Sequence, residues 1–240
     1  MTLILSNKAK ALKTSPTLAV FGKAKKMIAA GIDVINFGVG EPDFNTPEYI
    51  KQAAKQAIDD NFTKYTVAAG IPDLKAAIVT KLKDDNNLNY NENNIIVTPG
   101  AKAAIVTILQ ALCNPGDQVI IPTPYWVSYP SQVELADGQS IYLKTRAEDD
   151  FKVTKEKLDE LLQTLPNAKA IILNSPSNPS GMIYSREELA KIAEVCVKHN
   201  ILIISDEIYE KLVYGDATHV SIAEVSPEAK ALTVIINGVS

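Results

Sequence analysis

Short apolar runs alternate with helical patterns along most of the chain after residue 94. Continuous aliphatic runs are typical of strands that are buried on both faces of a parallel sheet. The intervening segments carry apolar residues at helical spacing, as the leucines at positions 158, 161, 162 and 165 do. We therefore predict an α/β protein with a mostly parallel sheet that helices cover on both faces. The predicted strands are 94–98, 119–121, 140–143, 170–173, 201–204 and 232–236, and the predicted helices are 101–112, 125–136, 155–165 and 185–199.

The beginning of the chain has a different pattern. It contains lysine-rich helical sequence around residues 23–26 and a strand-like run over 34–39. Thr46 is a good N-cap residue, and Pro47 suits the first position of a helix that runs to about residue 60. We predict an N-terminal arm with part of a smaller α+β domain over 1–45, and a large domain over 46–240 that is incomplete at its C-terminal end.

Composition and charge exclude several classes of protein. A hydrophobic fraction of 46% and a mean hydropathy of +0.01 are typical of a folded core rather than of a disordered chain. The formal charge of −4 argues against nucleic-acid binding. The absence of a long apolar run or a signal-peptide pattern leads us to expect a cytoplasmic protein without membrane contact.

The cysteines and histidines offer little reactive chemistry. Cys113 and Cys196 lie in apolar helical sequence, and we expect both to be reduced and buried. With two histidines and two cysteines, we predict no metal site. His199 and His219 are interpreted as surface residues rather than catalytic bases.

Candidate binding residues follow the predicted strands. Ligands of parallel α/β sheets bind beyond the carboxyl ends of the strands. There, Trp126 is either a core residue or a side chain that stacks on a planar ligand. The small residues that open the helix after 94–98 are either a phosphate site or an ordinary helix start. The residues at these strand ends are Gly100, Ala101 and Lys102, then Trp126, Asn178, Asp206 and Tyr209.

Asp206 is the most informative of these residues. A carboxylate at the end of an aliphatic strand is partly desolvated, which is unfavourable unless it meets a positive partner. Glu207 would point to the opposite face of a continuing strand, so we discount a paired-carboxylate glycosidase. Tyr209 shares the face of Asp206 if the chain turns helical there. The glycine-rich phosphate loops of nucleotide-binding proteins and the hydrolase GxSxG motif are absent from this sequence.

A series of motifs carries a family resemblance over essentially the whole chain. In this order, they resemble a class I pyridoxal-phosphate-dependent aminotransferase of fold type I, closest to the bacterial aspartate aminotransferases. The motifs are Gly40-Glu41-Pro42-Asp43-Phe44, Lys64-Tyr65, Gly100-Ala101-Lys102, Pro124-Tyr125-Trp126-Val127-Ser128-Tyr129-Pro130, Asn174-Ser175-Pro176-Ser177-Asn178-Pro179-Ser180-Gly181, Ser205-Asp206-Glu207-Ile208-Tyr209 and Asn237-Gly238-Val239-Ser240.

The resemblance implies pyridoxal 5′-phosphate as the cofactor and assigns residues to it. It implies that Asp206 pairs with the pyridine nitrogen, so that the ring accepts electrons from the substrate. Tyr209 and Asn178 would bind the phenolic oxygen, and Trp126 would stack on the ring. Asp206 and Tyr209 would be the catalytic residues present in the chain. The phosphate would be bound by Gly100, Ala101 and Lys102.

The resemblance also implies contacts to the substrate and between subunits. Gly40 would contact the α-carboxylate of the substrate through its backbone, and Trp126 and Asn178 would line the same subsite. Tyr65 would reach the phosphate of the neighbouring subunit's cofactor, which implies a homodimer with shared active sites. The partners would otherwise be amino-acid and 2-oxo-acid substrates.

The lysine that forms the Schiff base is the main departure from the family pattern. The resemblance places it directly after Ser240, and this chain stops at Ser240. Either that lysine carries the cofactor and is therefore not part of the printed polypeptide, or the chain is a fragment. We favour the first explanation, because the stop falls directly before the residue expected to be modified.

The implied reaction is transfer of an amino group from aspartate, or a similar amino acid, to 2-oxoglutarate by a ping-pong mechanism. The alternatives are another fold type I enzyme, such as an aromatic or alanine aminotransferase or a C–S lyase, and a non-catalytic cofactor-binding fragment. The substrate-binding arginines that would decide between them are not found in this sequence.

Overall fold

A computed structural model of the chain describes residues 4–12, 16–38, 40, 42 and 44–239. The chain forms two compact units, residues 1–68 and residues 69–240. The domain boundary near residue 45 stays a prediction. The first unit contains helices α1 (Asn7–Ala11), α2 (Pro16–Ala29) and α3 (Glu48–Asp59).

The second unit is built on five parallel strands in the order β2-β1-β3-β4-β5. This confirms the predicted α/β class. Its elements are α4 (Pro72–Asn86), α5 (Ala101–Leu112), β1 (Gln118–Thr123), α6 (Tyr129–Leu135), β2 (Gln139–Lys144), α7 (Lys155–Gln163), β3 (Ala168–Asn174), α8 (Arg186–His199), β4 (Leu202–Asp206), α9 (Pro227–Ala231) and β5 (Thr233–Ile236), with 3₁₀ turns at Glu92–Asn94, Ala147–Asp149 and Ile222–Glu224.

The three central strands β1, β3 and β4 are buried on both faces, as their continuous apolar runs predict, whereas the edge strand β2 is partly exposed. Ile171 and Ile203 face a core formed with α7 and α8. Ile172 and Ile204, one position further along, face a second core formed with α5 and α6. Helices therefore cover both faces of the sheet, and binding residues can only emerge at the strand ends.

The strand predicted at 94–98 is wrong. Residues 92–94 form a 3₁₀ turn, and 95–98 are extended without pairing to any described strand. The backbone bond from Val97 N–H to the Ala69 carbonyl, at 3.0 Å, joins this segment to the residues before α4. An apolar, β-branched run becomes a strand only where a neighbouring strand accepts its hydrogen bonds.

Helix α6 begins four residues later than the predicted 125–136. It starts at Tyr129, after a turn that includes a bond from Tyr129 N–H to the Trp126 carbonyl. Pro130 explains the difference, because proline has no N–H to donate and is tolerated only in the first turn of a helix. By contrast, helix α8 has the predicted capping box between Ser185 and Glu188.

Two expectations for the first unit are also wrong. Helix α3 begins at Glu48, and Pro47 occupies the N-cap position without a side-chain cap, so Thr46 is not the N-cap. Pro47 is extended, with a ψ of 142°, which moves the helix start one residue along. Residues 34–37 form no strand, since no described strand pairs with them, and Val39 lies outside the described residues.

The cysteines and histidines differ in part from expectation. Both cysteines are free, and burial raises the pKa of Cys196 to about 12. Cys113 is only half-buried, because it follows the last turn of α5 rather than lying inside the helix. His199 is half-buried against Asp159, whereas the His219 side chain is only 7% exposed, so its placement at the surface is wrong.

None of the helices in the described parts of the chain combines the length and apolar character needed to cross a bilayer.

Candidate active site

A cleft opens where β3 and β4 end and α5 begins. The two strands are in register there, with Asn174 paired to Asp206 at their last residues. Most residues of β3 and β4 are aliphatic and belong to the core. The polar side chains of this region are therefore at the ends of the strands and in the loops that follow. The cleft is lined by Gly100, Ala101, Lys102, Trp126, Tyr129, Asn174, Asn178, Asp206, Ile208 and Tyr209.

Asp206 is a buried carboxylate at one end of the cleft, 4% exposed. Its Oδ2 accepts a hydrogen bond from the Tyr129 hydroxyl at 2.6 Å, and its Oδ1 accepts one from Ile208 N–H at 3.2 Å. Burial raises the pKa of the Asp206 carboxyl, although these two bonds act in the opposite direction. No Lys, Arg or His side chain of the described residues forms an ion pair with it. A cationic ligand group would therefore be stabilised here.

The loop after β3 is fastened to the end of β4. Asn174 donates from Nδ2 to the Asp206 carbonyl at 2.9 Å, and its Oδ1 accepts from Asn178 N–H at 2.7 Å. The Asn178 carboxamide then lies 3.5 Å from the Tyr209 hydroxyl, at the limit of a hydrogen bond. Asn178 and Tyr209 thus present a donor and a hydroxyl side by side, which suits binding of a ligand oxygen.

Trp126 forms a half-buried aromatic wall. Its ring meets Tyr129 edge to face, with centroids 5.4 Å apart, and the Lys102 ammonium lies 5.0 Å from the Trp126 centroid. Trp126 therefore contacts the tyrosine that binds the buried carboxylate and also lies close to a cation. A planar ligand that stacks on Trp126 would have both charges within reach.

The first turn of α5 forms the other end of the cleft. Its N-cap is Gly100, with a φ of +87°, and no side chain caps the helix. The uncapped N–H groups and the helix dipole favour an anion, and the Lys102 ammonium adds a full positive charge. The open space where a Gly100 side chain would lie lets a ligand approach the backbone.

Seven of the predicted site residues meet in this cleft, namely Gly100, Ala101, Lys102, Trp126, Asn178, Asp206 and Tyr209. Gly40 and Tyr65 belong to the first unit, so their predicted roles stay predictions. Within the Gly40 and Asn237 motifs, Glu41, Asp43 and Ser240 lie outside the described residues.

Three further residues line the cleft that were not predicted as site residues: Tyr129, Asn174 and Ile208. Asn174 had a readable signal, because it is the last residue of the strand that leads into the Asn178 loop. Tyr129 and Asp206 are 77 positions apart, so no local pattern could join them.

A second buried polar cluster lies behind Asp206. Glu207 accepts hydrogen bonds from Ser205 and Ser221 and lies 3.1 Å from His219 Nε2. A buried carboxylate is stable only with hydrogen-bonding partners, and His219 is one of the partners of Glu207. This contact explains why His219 is not a surface residue. Glu210 is paired with Lys81 in the same region, so these side chains have protein partners of their own.

The cleft at the strand ends therefore contains a buried carboxylate, an aromatic side chain, and a helix N-terminus with a lysine beside it. It suits a planar ligand with an anionic group at one end and a basic nitrogen at the other, as a phosphorylated pyridine has.

Comparison with known proteins gives the family. Residues 32–240 match the model of the aminotransferase class I and II family, and the chain belongs to this family. The family depends on pyridoxal 5′-phosphate.

Individual relatives are similar over nearly the whole chain. An aspartate aminotransferase of Bacillus sp. (strain YM-2) is 53% identical over 240 residues, and one of Geobacillus stearothermophilus is 54% identical over 236. The chain spans 61% and 60% of these two relatives, and the matches cover 100% and 98% of the chain. A Thermus thermophilus aspartate aminotransferase structure with maleate is 39% identical, with a TM-score of 0.94 over 100% of this chain and 61% of that one.

The residues present fit the family's cofactor. The buried Asp206 carboxylate lacks a cationic partner among the described residues and would receive the pyridine nitrogen. The uncapped start of α5 would receive the phosphate. Trp126 lines the same cleft and would offer an aromatic surface to the ring.

Proposed function

We propose that the chain forms the cofactor-binding part of a pyridoxal-phosphate-dependent aminotransferase that moves an amino group from aspartate, or a similar amino acid, to 2-oxoglutarate. The proposed mechanism is ping-pong, with pyridoxal and pyridoxamine forms of the cofactor alternating between two half-reactions. The bound cofactor supplies an electron-accepting ring that stabilises the negative charge left when the substrate loses its Cα proton.

Asp206 holds a proton on the pyridine nitrogen in this proposal. A carboxylate that is buried without a cation is stabilised by a protonated nitrogen, and the nitrogen gains the same stabilisation in return. This arrangement of Asp206 is the single observation that carries the proposal. The charge persists through the reaction because Asp206 is shielded from water.

Asn178 and Tyr209 bind the phenolic oxygen of the ring, and Trp126 orients the ring by stacking. Their adjacency at 3.5 Å supports a shared contact with one ligand oxygen. Gly100, Ala101 and Lys102 bind the phosphate through backbone N–H groups and the Lys102 ammonium. The Schiff-base lysine remains a prediction for the position after Ser240.

Gly40 binds the substrate α-carboxylate, and Tyr65 binds the phosphate of the partner subunit's cofactor, in a cytoplasmic homodimer. These contacts rest on the resemblance described above. The similarity to the aspartate aminotransferases of Bacillus and Geobacillus supports aspartate as the donor. Another fold type I aminotransferase, a C–S lyase and a non-catalytic binding protein remain alternatives.

A substrate comparison with the full-length holoprotein tests this function. Aspartate, tyrosine and alanine are each supplied with 2-oxoglutarate, and glutamate formation is measured. We expect aspartate to give the highest kcat/KM. Thiol release from a cysteine conjugate would instead identify a lyase, and cofactor binding without any reaction would identify a binding protein.

A further inference from the structure

We propose that helix α6 positions both ends of the cleft, through the Tyr129 hydroxyl at the Asp206 carboxylate and the Gln132 carboxamide at the first turn of α5. Both side chains act as positioning residues, since each is placed to act on the ligand through another group. The inference rests on the proposed function, because it concerns how that cofactor site is held in shape.

Tyr129 fixes the carboxylate. Its side chain is 2% exposed, and its hydroxyl donates to Asp206 Oδ2 at 2.6 Å. Burial raises the pKa of Tyr129 well above 10, so the hydroxyl keeps its proton and stays a donor. With Ile208 N–H on the other oxygen, both carboxylate oxygens are held in place. The orientation of Asp206 toward the cleft is thus set before a ligand binds.

Gln132 fixes the phosphate end. Its Nε2 donates to the Lys102 carbonyl at 3.0 Å, although 30 residues separate the two positions. The side chain is 5% exposed, and its Oε1 finds no donor in the described part of the chain. An unsatisfied buried amide oxygen is destabilising, and the hydrogen bond from Nε2 to the Lys102 carbonyl offsets part of that cost.

The two residues lie on one face of the same helix. Positions three apart on a helix are neighbours, so Tyr129 and Gln132 project together. Tyr129 and Val133 pack in the same core as Ile105 and Leu109 of α5, which makes α6 a firm support. Trp126 braces Tyr129 from the cleft side through its edge-to-face contact.

Three probes separate the ends of the cleft in the full-length apoprotein. Pyridoxamine 5′-phosphate uses both ends, pyridoxamine only the ring end, and inorganic phosphate only the α5 end. Their dissociation constants are measured by calorimetry, with inorganic phosphate read by competition. A general loss of packing would weaken all three probes together.

Tyr129→Phe removes one oxygen atom and keeps the ring against Trp126. We expect it to weaken pyridoxamine and pyridoxamine 5′-phosphate by about tenfold, the range of a hydrogen bond to a charged group. The affinity for inorganic phosphate should stay within about twofold. The matched control is Tyr184→Phe, since Tyr184 is also buried but its hydroxyl accepts from Val153 N–H outside the cleft.

Gln132→Met keeps the length of the side chain and removes its donor. We expect about fivefold weaker binding of the two phosphate-bearing probes, as for a neutral hydrogen bond, and unchanged binding of pyridoxamine. Gln118→Met is the control, because Gln118 also has a buried Oε1 without a partner among the described residues but starts β1, away from the cleft.

The outcomes distinguish this inference from the proposed function. If wild-type protein does not bind pyridoxamine 5′-phosphate, the proposed function is overturned and this inference with it. If wild-type protein binds it and both variants keep all three affinities, or lose them uniformly, only the role of α6 is overturned. Far-UV circular dichroism confirms that each variant is folded, and either variant alone tests its own end.

Discussion

At the scale of single residues, the environment of Asp206 determines the chemistry that the cleft supports. Its carboxylate is buried, is oriented by two donors and lacks a cation among the described residues. Such a group is stable in its charged form only when a ligand supplies the positive charge.

Asp206→Ala should therefore lower kcat by about 100-fold or more, as the loss of a preorganised electrostatic group does. Asp216→Ala, in an exposed loop, is the control and should leave the rate unchanged. Steady-state transamination by the two variants checks this expectation. A rate near that of wild type for Asp206→Ala would remove Asp206 from the role assigned to it.

The roles of individual residues were predictable from the sequence only where their neighbours in the chain indicate them. The functional importance of Asp206 was predictable, because a carboxylate at the end of an aliphatic strand is desolvated at a cost in free energy. Tyr129 was not, since its significance depends on a contact across 77 residues. His219 was misjudged for the same reason, because its partner Glu207 is recognisable only in the folded structure.

At the scale of elements, local sequence chemistry sets most of the boundaries. The capping box of α8 joins Ser185 to Glu188 through bonds of 2.7 and 3.2 Å. This helix packs on the sheet face formed by β3 and β4. Its stability therefore supports the strands that end at the cleft.

Ser185→Ala should lower the free energy of unfolding by about 1 kcal/mol, since the Glu188 N–H loses its acceptor. Ser185→Asp retains a capping oxygen and should stay close to wild type. Urea unfolding followed by circular dichroism measures both. Equal stability of Ser185→Ala and wild type would show that the cap is not needed.

Helices α7 and α8 are joined by a pH-sensitive contact. Asp159 on α7 accepts from Lys198 Nζ and faces His199 Nε2, both at 2.7 Å. Hydrogen bonds from Lys198, then from His199, lower the pKa of Asp159 to about 2. The stabilisation is therefore fully present above the unfolded-state pKa and is lost as the pH falls from about 4 toward 2.

Asp159→Asn should destabilise the protein near pH 6, and its difference from wild type should shrink as the pH falls toward about 2, where the Asp159 carboxyl becomes protonated and is neutral like the amide. Urea midpoints at the two pH values provide the measurement, with Glu160→Gln on the same helix as control. A difference that does not shrink at the lower pH would mean that charge plays no part.

Elements whose existence depends on distant partners were harder to predict. The run at 94–98 has strand composition but pairs with no described strand, so composition alone misled. Pro130 limits where α6 can start, but the helical periodicity extends further toward the N-terminus and predicts an earlier start. Helix α5, whose bounds match the prediction at both ends, has a break before it and a turn after it in the sequence itself.

At the scale of the whole molecule, periodicity was sufficient for the class of fold. Central strands that are buried on both faces appear in the sequence as short continuous apolar runs. The observed sheet, with one core on each face, agrees with that pattern. A contact between subunits, such as the one predicted for Tyr65, cannot be recognised from any local pattern. Tyr65 is fully exposed, which leaves its predicted contact with a partner subunit to experiment.

Subunit mixing tests the predicted shared sites. Tyr65→Phe and Asp206→Ala proteins should each retain the cofactor poorly, because each lacks one contact in every site. A hybrid dimer would hold both changes in one site and neither in the other. We expect cofactor retention and activity to return on mixing, which size-exclusion fractions can follow by absorbance. No recovery in a verified hybrid would exclude sharing.

An absorption measurement tests directly whether this site carries an amino-transfer cofactor. Full-length protein loaded with pyridoxal phosphate is mixed with aspartate alone, and 2-oxoglutarate is added afterwards. We predict that the pyridoxal absorption is replaced by that of the pyridoxamine form and returns with the oxo acid. A bound cofactor whose spectrum no amino acid changes would contradict the account.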